Sequence, residues 1–538
     1  MEMHPATLWE ALADAHPDRP ALVRGDVRRT WAEFEDRAAR LAIVLLASGV
    51  ERGATVGLML SNGPEYLESY FAALKIRAVP FNVNVRYTAD EVAYLLADSD
   101  AAALVYHAGL GPTVAAAVDR ASHRPSLIEV DDGAPPLPGC VERYETAIAV
   151  AEPASRIARS GDDVTLVYTG GTTGMPKGVV TRVAPPLAHL LRTVPALLGA
   201  APLTAPEQVI PLTRRHERIV SIPASPLAHG TGLNIGAMPA LTFGGTVVAL
   251  RGRSFDPGEV WDTVERERVS TVAIVGDAFA RPMLAALRDG PDRDLSSLRL
   301  ISSSGATFSA PVKEALLERL PGAMILDVVA ATEGTMGTAL ALPGQPVVTG
   351  RFSPAPGVML VTEDGRPVEP VPGATGLIAL PSTAEGYHND EARTAATFTR
   401  IGGRPYTVPG DLARYEEDGE LTLLGRGSSC INTAGEKVHP EEVEEVLKTH
   451  PAVEDALVFG VADERFGHQV VAVLAHPPGT RATVEAIIAH ARTRLAGYKL
   501  PRHVQVVERV PRTLVGKPDY PAARALLTAA TGTPAREP

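Results

Sequence analysis

The groups best suited to chemistry gather in Tyr168-Thr169-Gly170-Gly171-Thr172-Thr173-Gly174-Met175-Pro176-Lys177-Gly178. From Thr169 to Lys177 this stretch holds three threonines, three glycines and one lysine. Glycine permits φ > 0 and lets backbone N–H groups close on a ligand. Threonine hydroxyls add donors, and Lys177 adds a point charge suited to phosphate. The apolar run 164–167 ahead of them reads as a buried strand. A strand that delivers such a loop is built to hold a polyphosphate. It is not a Walker A loop, because no Gly-Lys-Ser/Thr closes it at the required spacing. The same residues would also make an ordinary Gly/Thr-rich turn, so the context decides.

Other reactive groups are spread along the chain and are unremarkable one by one. Asp411 follows Gly410, and a carboxylate accepts paired hydrogen bonds from vicinal hydroxyls well. A turn aspartate after glycine is the plainer reading. Glu333 alone is a loop carboxylate and His229 a structural histidine at a glycine-rich break. Gly305 alone is a turn glycine behind the strand expected over 298–302, and Lys517 a solvated lysine in a Gly-Lys turn.

The elements that must position these groups alternate. Thr30-Trp31-Ala32-Glu33 is a capping-box pattern, and Phe34, Ala38, Leu41 and Leu45 then share one helical face. Asn62-Gly63-Pro64-Glu65 and Thr88-Ala89-Asp90-Glu91 open two further helices, with strands expected over 55–60, 78–81 and 101–106. Strand and helix in turn predict a large doubly wound α/β domain. The same alternation is expected from 151 to about 424, with further strands at 246–250 and 421–424. Gly425-Arg426-Gly427-Ser428-Ser429 is a Gly/Ser-rich joint and sets the boundary: 1–426 for the large domain, 427–538 for a small one. Beyond it, Pro440 and the acids after it start a helix. Strands at 456–461 and 470–475 and a helix over 483–495 make a compact α+β unit.

A chain of 538 residues exceeds one core and requires at least two domains. The net charge of −12 gives no basic face for nucleic acid. Cys140 and Cys430 are the only cysteines, which predicts neither a disulfide framework nor a metal-ligand spacing and points to a reducing, cytoplasmic setting. No signal peptide is read at Met1-Glu2-Met3-His4-Pro5, and no uncharged apolar run reaches the roughly 18 residues of a membrane span. Abundant Ala, Arg, Pro and Gly suggest a GC-rich bacterial genome.

The 168–178 stretch resembles the phosphate loop of the adenylate-forming superfamily: acyl-CoA synthetases, peptide-synthetase adenylation domains and luciferases. Asn62-Gly63-Pro64-Glu65-Tyr66 and Asn82-Val83-Asn84-Val85-Arg86-Tyr87 resemble the N-terminal half of acyl-CoA synthetases and receive no catalytic role. By that resemblance Thr169, Gly170, Gly171, Thr172, Thr173, Gly174 and Lys177 hold ATP phosphates. His229 and Gly230 line the acyl pocket, and Gly305-Ala306 lies against adenine. Asp327-Val328-Val329-Ala330-Ala331-Thr332-Glu333 matches the Asp-x-Tyr-Gly-x-Thr-Glu pattern at Asp327, Thr332 and Glu333. Thr332 would bond the α-phosphate or the acyl carboxylate, and Glu333 would hold Mg²⁺. Val329 stands where the family stacks an aromatic on adenine, and Ala330 where it has glycine. Asp411 would take the ribose, Arg426 ribose and phosphate, and Lys517 is the catalytic lysine.

The stretch from Gly425 to Val438 is most similar to actinobacterial ligases of long-chain or steroid side-chain acids. The resemblance implies a large domain and a small rotating one joined at a hinge, here Ser429 where Asp or Lys is usual. It implies activation of a carboxylic acid as an acyl-adenylate with ATP and Mg²⁺, then transfer to CoA. Its partners are small molecules, with no nucleic acid and no membrane span; a homodimer is left open. Many relatives have Ser-Gly-Gly-Glu where this chain has Thr433-Ala434-Gly435-Glu436, beside the pantetheine tunnel. The Ala434 methyl either narrows that tunnel or signals a non-CoA acceptor: an amine, or nitrite in diazotisation of an aryl amine. A catalytically dead binding protein disagrees with the persistence of the loop, Glu333, Asp411 and Lys517.

Overall fold

The structure, a computed structural model, describes residues 1–139, 142–169, 175–252, 254–306, 308–426, 431–438, 440–477, 479–511 and 520–531. The capping box forms as the sequence suggests. Thr30 Oγ1 accepts from Glu33 N at 3.2 Å, and Glu33 Oε2 accepts from Thr30 N at 2.8 Å. The helix it starts, Trp31–Ala47, buries Trp31, Phe34, Ala38, Leu41 and Leu45. It packs with helices Pro5–Ala15 and Pro64–Lys75 around Trp9, Phe34 and Phe71, whose ring centroids lie 5.1 to 6.1 Å apart. Leu22 and Val247 reach this core from one sheet, Val56, Val105 and Ile128 from another.

One sheet has eight strands. In spatial order they are Ala384–Tyr387, Lys177–Arg182, Val164–Thr169, Val79–Asn82, Thr55–Met59, Ala101–His107, Ser126–Val130 and Glu142–Arg143. From Val164–Thr169 onward the neighbours are parallel. The first two join antiparallel, so the phosphate-loop segment is a hairpin at the end of a parallel sheet. A second sheet runs parallel through Pro20–Arg24, Thr246–Ala249, Val220–Pro223, Thr271–Ile274, Leu300–Ser304 and Met324–Ala331.

Beyond Met324 the expected alternation stops. From there to Arg426 the second sheet continues as antiparallel strands, interrupted among the described residues by the seven-residue helix Glu391–Thr397. Gly344, Gly357, Gly365 and Gly373, all at positive φ, close turns too tight for a crossover helix. The large α/β architecture stands; its last quarter is a meander.

From Ile431 a third sheet begins, with strands Ile431–Thr433, Glu436–Val438, Asp455–Asp463, Gly467–Ala475 and His503–Val507. Val443, Leu447, Val458, Ala472 and Ile487 form a core on one face, under helices Pro440–Lys448 and Val484–Arg492. Leu457, Phe459, Val473, Ala523 and Leu527 form another on the opposite face. This is the expected small α+β unit.

Candidate active site

Lys177 opens the return strand of the hairpin, paired in register with Thr169. Its Nζ donates to Glu333 Oε1 at 2.8 Å and to the Tyr387 hydroxyl at 2.7 Å, and sits 4.3 Å from the Tyr387 ring centroid. Tyr387 in turn donates to Glu333 Oε1. Two of the three groups come from hairpins and the third from a strand at the sheet edge. Thr332 and Glu333 are the two-residue turn between Met324–Ala331 and Gly334–Ala341, and Tyr387 ends the edge strand beside Lys177–Arg182. Glu333 is 2% exposed. Burial opposes its ionisation, but the Lys177 charge and the bonds from Lys177 and Tyr387 outweigh it and bring its pKa down to about 2. Burial and the Glu333 charge push the Tyr387 phenol well up. The triangle is a neutral phenol, an ammonium and a carboxylate: balanced in charge.

The second sheet supplies the neighbouring groups. Leu300–Ser304 ends in Gly305 at φ +89, a backbone that a side chain rarely adopts, and Ala306 follows. Ser304 Oγ donates to Val328 O at 2.6 Å, and Thr231 Oγ1 to Ser304 O at 3.3 Å. The strand bearing Val329 is thereby fixed to the turn, with a bulge between Val329 and Ala330. Val329 is half-buried and packs against the core cluster that includes Phe352 and Leu380. Asp411 is buried at the start of its strand, in register with Arg426 of Leu421–Arg426.

His229 and Gly230 sit in the turn before a π-helix, Thr231–Ala237, a form that often marks functional sites. Two asparagines hold that turn. Asn62 bonds Pro223 O and Ser225 O, both at 2.9 Å, and accepts from Leu227 N at 2.7 Å. Asn82 bonds Tyr168 O at 3.0 Å and Ala228 O at 2.8 Å, and accepts from Tyr168 N at 2.8 Å. The strand leading to the phosphate loop and the His229 turn are thus pinned together by Asn82. From sequence alone these asparagines and Tyr387 have no assigned role: Asn62 and Asn82 lie in the segments that resemble acyl-CoA synthetases, and Tyr387 shows only a glycine-aromatic pair.

The small unit enters here. Thr433 and Glu436 pair, so Ala434 and Gly435 form a two-residue hairpin turn at φ +51 and +83. That is the type I′ pattern, and alanine is an unusual choice for it. A Cβ at Gly435 would stand 2.5 Å from Val275 Cγ1, so only glycine lets the turn lie this close to the large unit. Glu436 Oε1 lies 3.3 Å from His229 Nε2 and 3.9 Å from Arg86. Burial disfavours the His229 imidazolium, but Glu436 outweighs it and the pKa is raised. Burial likewise opposes the Glu436 charge, and His229, Arg86 and Asn84 together lower its pKa.

Gly170, Gly171, Thr172, Thr173, Gly174, Ser429 and Lys517 lie outside the described residues, as does the side chain of Arg426. Of the remaining expected site residues, Lys177 and Glu333 meet directly, with Thr169 paired to Lys177 and Thr332 next to Glu333 in its turn. His229 meets Glu436 of the hairpin that carries Ala434 and Gly435. Gly305, Ala306, Val329 and Asp411 belong to neither pair. Among the described residues no three His, Cys, Asp or Glu side chains gather to hold a metal. One ionised, acceptor-only carboxylate such as Glu333 is nonetheless what Mg²⁺ uses when phosphates and waters supply the other ligands.

A hairpin beside a buried lysine–carboxylate pair, on two largely parallel sheets with a small α+β unit against them, is the architecture of an adenylate-forming enzyme. The chain belongs to the AMP-binding enzyme family: the family model matches residues 9–388, and the AMP-binding enzyme C-terminal domain matches 442–517. It is 39% identical over 532 residues to 3-oxocholest-4-en-26-oate–CoA ligase of Rhodococcus rhodochrous, covering 97% of this chain and 95% of that protein. Identity is also 39%, over 528 residues, to a medium/long-chain-fatty-acid–CoA/3-oxocholest-4-en-26-oate–CoA ligase of Mycobacterium tuberculosis, covering 96% and 94%. Among solved structures, the amide bond synthetase McbA of Marinactinospora thermotolerans superposes with a TM-score of 0.79 at 25% identity, over 96% of this chain and 99% of that one.

Proposed function

We propose that this chain activates a large apolar carboxylic acid with ATP and passes the acyl group to CoA. The reaction class is that of an AMP-forming acid–thiol ligase, shared with relatives that match it end to end. The observation that carries the reading is the Lys177–Glu333 pair beside the Thr169–Lys177 hairpin, together with the small-unit turn lying against Val275 and the Glu436–His229 contact next to it. In the first step an oxygen of the acid attacks the α-phosphorus of ATP, and pyrophosphate leaves. Negative oxygens must approach each other, so catalysis is chiefly positioning and electrostatic stabilisation. Lys177 and the threonines of the loop take the phosphates, Thr332 bonds the α-phosphate or the acid, and Asp411 takes the ribose. Val329 and the Gly305-Ala306 peptide flank adenine, and His229-Gly230 borders the acid. Glu333 would hold Mg²⁺, which supplies Lewis-acid neutralisation of phosphate charge when bound. Lys517 would add a second cation at the α-phosphate.

In the second step the CoA sulfur attacks the acyl carbonyl, the thiol proton leaves to solvent or a base, and AMP departs. The hinge at Ser429 and a boundary at 426/427 would allow the small unit to serve both steps. The Ala434-Gly435 turn against Val275 supports the arrangement for transfer, since those two residues border the pantetheine path. The acids named for the relatives, steroid side-chain and long-chain, set the class expected here. Among the described residues no helix is long and apolar enough to cross a membrane. With ATP and CoA as partners, we place the reaction in the cytoplasm. An amine acceptor is the second reading, supported by the Ala434 methyl and the likeness to McbA.

The test is a mass-spectrometric screen of fatty and steroid acids with ATP and Mg²⁺, with and without CoA, and with amines. Thioester that depends on CoA is expected. Amide with AMP release and no thioester from any acid would replace the CoA reading.

A further inference from the structure

The small unit meets the large one at the His229–Glu436 pair and again at a cluster that the reaction does not use. Lys499, 2% exposed, donates from Nζ to Glu442 Oε1 at 2.6 Å and to Glu91 Oε1 at 2.7 Å. Glu442 lies on helix Pro440–Lys448, in the same unit as Lys499. Glu91 lies on helix Ala89–Asp98 of the large unit, 408 residues away in sequence. Its other oxygen, Oε2, accepts from Thr88 N at 2.9 Å in the capping box. The helix cap therefore orients the carboxylate and leaves Oε1 for the lysine. Thr88 Oγ1 also stands 3.2 Å from Arg494 O of the small unit, and the ammonium sits 5.1 Å from the Tyr87 ring centroid.

The two carboxylates differ in what they report. Glu442 moves with Lys499, so their bond exists in any arrangement of the units. The bond to Glu91 exists only in this one. A contact made in one of two arrangements shifts the balance by its full differential free energy, and a contact made in both shifts nothing. We propose that Glu91 is a positioning residue for acyl transfer: by receiving Lys499 it selects the arrangement in which the Ala434-Gly435 turn lies against Val275. It takes no part in making the adenylate. The inference rests on the two-step reading above.

The cluster is also over-supplied with carboxylates. Glu442 Oε2 has no hydrogen bond among the described residues. Burial, against the pull of Lys499 and with the help of Glu91, raises the Glu442 pKa to about 7.

The test uses the full chain at pH 6.5. Glu91→Gln removes the charge yet keeps the helix start, because glutamine also serves at that position of a capping box. Lys499→Met removes the bridge, and Lys499→Arg retains a cation. Small-unit docking is read from a fluorescent pair on Arg120→Cys and Glu485→Cys, both exposed, with Cys140 and Cys430 replaced by serine. Pyrophosphate exchange reads the first step, and single-turnover decay of bound adenylate reads the second. Glu91→Gln is expected to lower the docked fraction and slow transfer by about 10-fold, leaving exchange unchanged. Lys499→Met should do so more strongly, on the order of 100-fold, and Lys499→Arg should recover much of the loss. An unchanged docked fraction in Glu91→Gln overturns the proposal, as does an equal fall in exchange and transfer. If the parent makes no thioester yet Glu91→Gln still undocks, the positioning role stands and it is the CoA reading that fails.

Discussion

Lys177 and Lys499 are each held by two side-chain oxygens, and the two settings drive their carboxylates in opposite directions. Around Lys177 the second oxygen belongs to a phenol, so one positive charge meets one negative, and Glu333 falls to about 2. Around Lys499 both oxygens belong to carboxylates, and Glu442 rises to about 7. Burial is the largest influence on both carboxylates and raises both. At Glu333 the Lys177 charge and the bonds from Lys177, Tyr387 and the backbone outweigh it. At Glu442 the Lys499 charge and bond do not, and Glu91 adds to the rise. The first cluster is assembled within the large unit. The second spans two units. A fixed site and a releasable contact thus use the same lysine-centred geometry.

The fixed site should break hardest. Glu333→Gln leaves Lys177 facing a neutral amide and removes the carboxylate proposed to hold magnesium. Pyrophosphate exchange should drop by roughly 10²-fold or more, with the Mg²⁺ titration displaced to higher concentration. Superimposable titrations of parent and variant would put the metal elsewhere. Lys517→Ala should lose about 2.7–4 kcal/mol of transition-state stabilisation in the same assay with an unchanged melting temperature. Tyr387→Phe keeps the ring under the Lys177 ammonium and removes both the hydrogen bond it donates to Glu333 and the one it accepts from Lys177. A loss of about 1 kcal/mol is expected, seen as a fall of several-fold in exchange; no change at all would show that Tyr387 only packs.

The releasable contact should respond to pH instead. In the docked arrangement Glu442 lies above its ordinary value of 4.5, at about 7, facing Lys499 and Glu91 with Tyr87, Tyr498 and Glu436 nearby. Docking therefore takes up a proton. It is favoured below about pH 7 and weakens as pH rises through that value. The docked fraction from the label pair should be several-fold smaller at pH 8 than at pH 6, and Glu442→Gln should flatten the profile. A profile that rises with pH contradicts the assignment.

The smallest effect is expected at Ala434. Its left-handed backbone costs an alanine about 1 kcal/mol relative to glycine, partly offset by the greater freedom of unfolded glycine. Ala434→Gly should leave the melting temperature equal or slightly higher, with transfer no slower.

The sequence was legible where physics is local. Both capping boxes, at Thr30 and Thr88, are patterns of four residues, and both form. Lys177 and Glu333 were read from motifs, each within a single turn. Their shared partner was not, because Tyr387 lies 210 residues from one and 54 from the other, brought in by pairing at a sheet edge. The Glu91–Lys499 contact spans 408 residues and depends on how two units dock, which no window of sequence encodes. The meander from 324 to 426 was misjudged for a related reason. Short apolar runs between glycines fit a crossover strand or a hairpin equally, and pairing partners choose between them. At residue 434 attention went to the methyl group, whereas the structure shows that the backbone of the turn is equally unusual.

On the proposed function, the large unit makes the adenylate and the small-unit turn governs its transfer to a thiol. A chase of enzyme-bound acyl-adenylate with CoA, in the parent and in Ala434→Leu, followed by mass of adenylate and thioester, separates the two roles. A bulky side chain at so close an approach should obstruct only the state in which the thiol arm is present. The parent should convert its adenylate to thioester. In Ala434→Leu the adenylate should form at the parental rate and then persist. Equal decay to thioester in both proteins would contradict that division of roles.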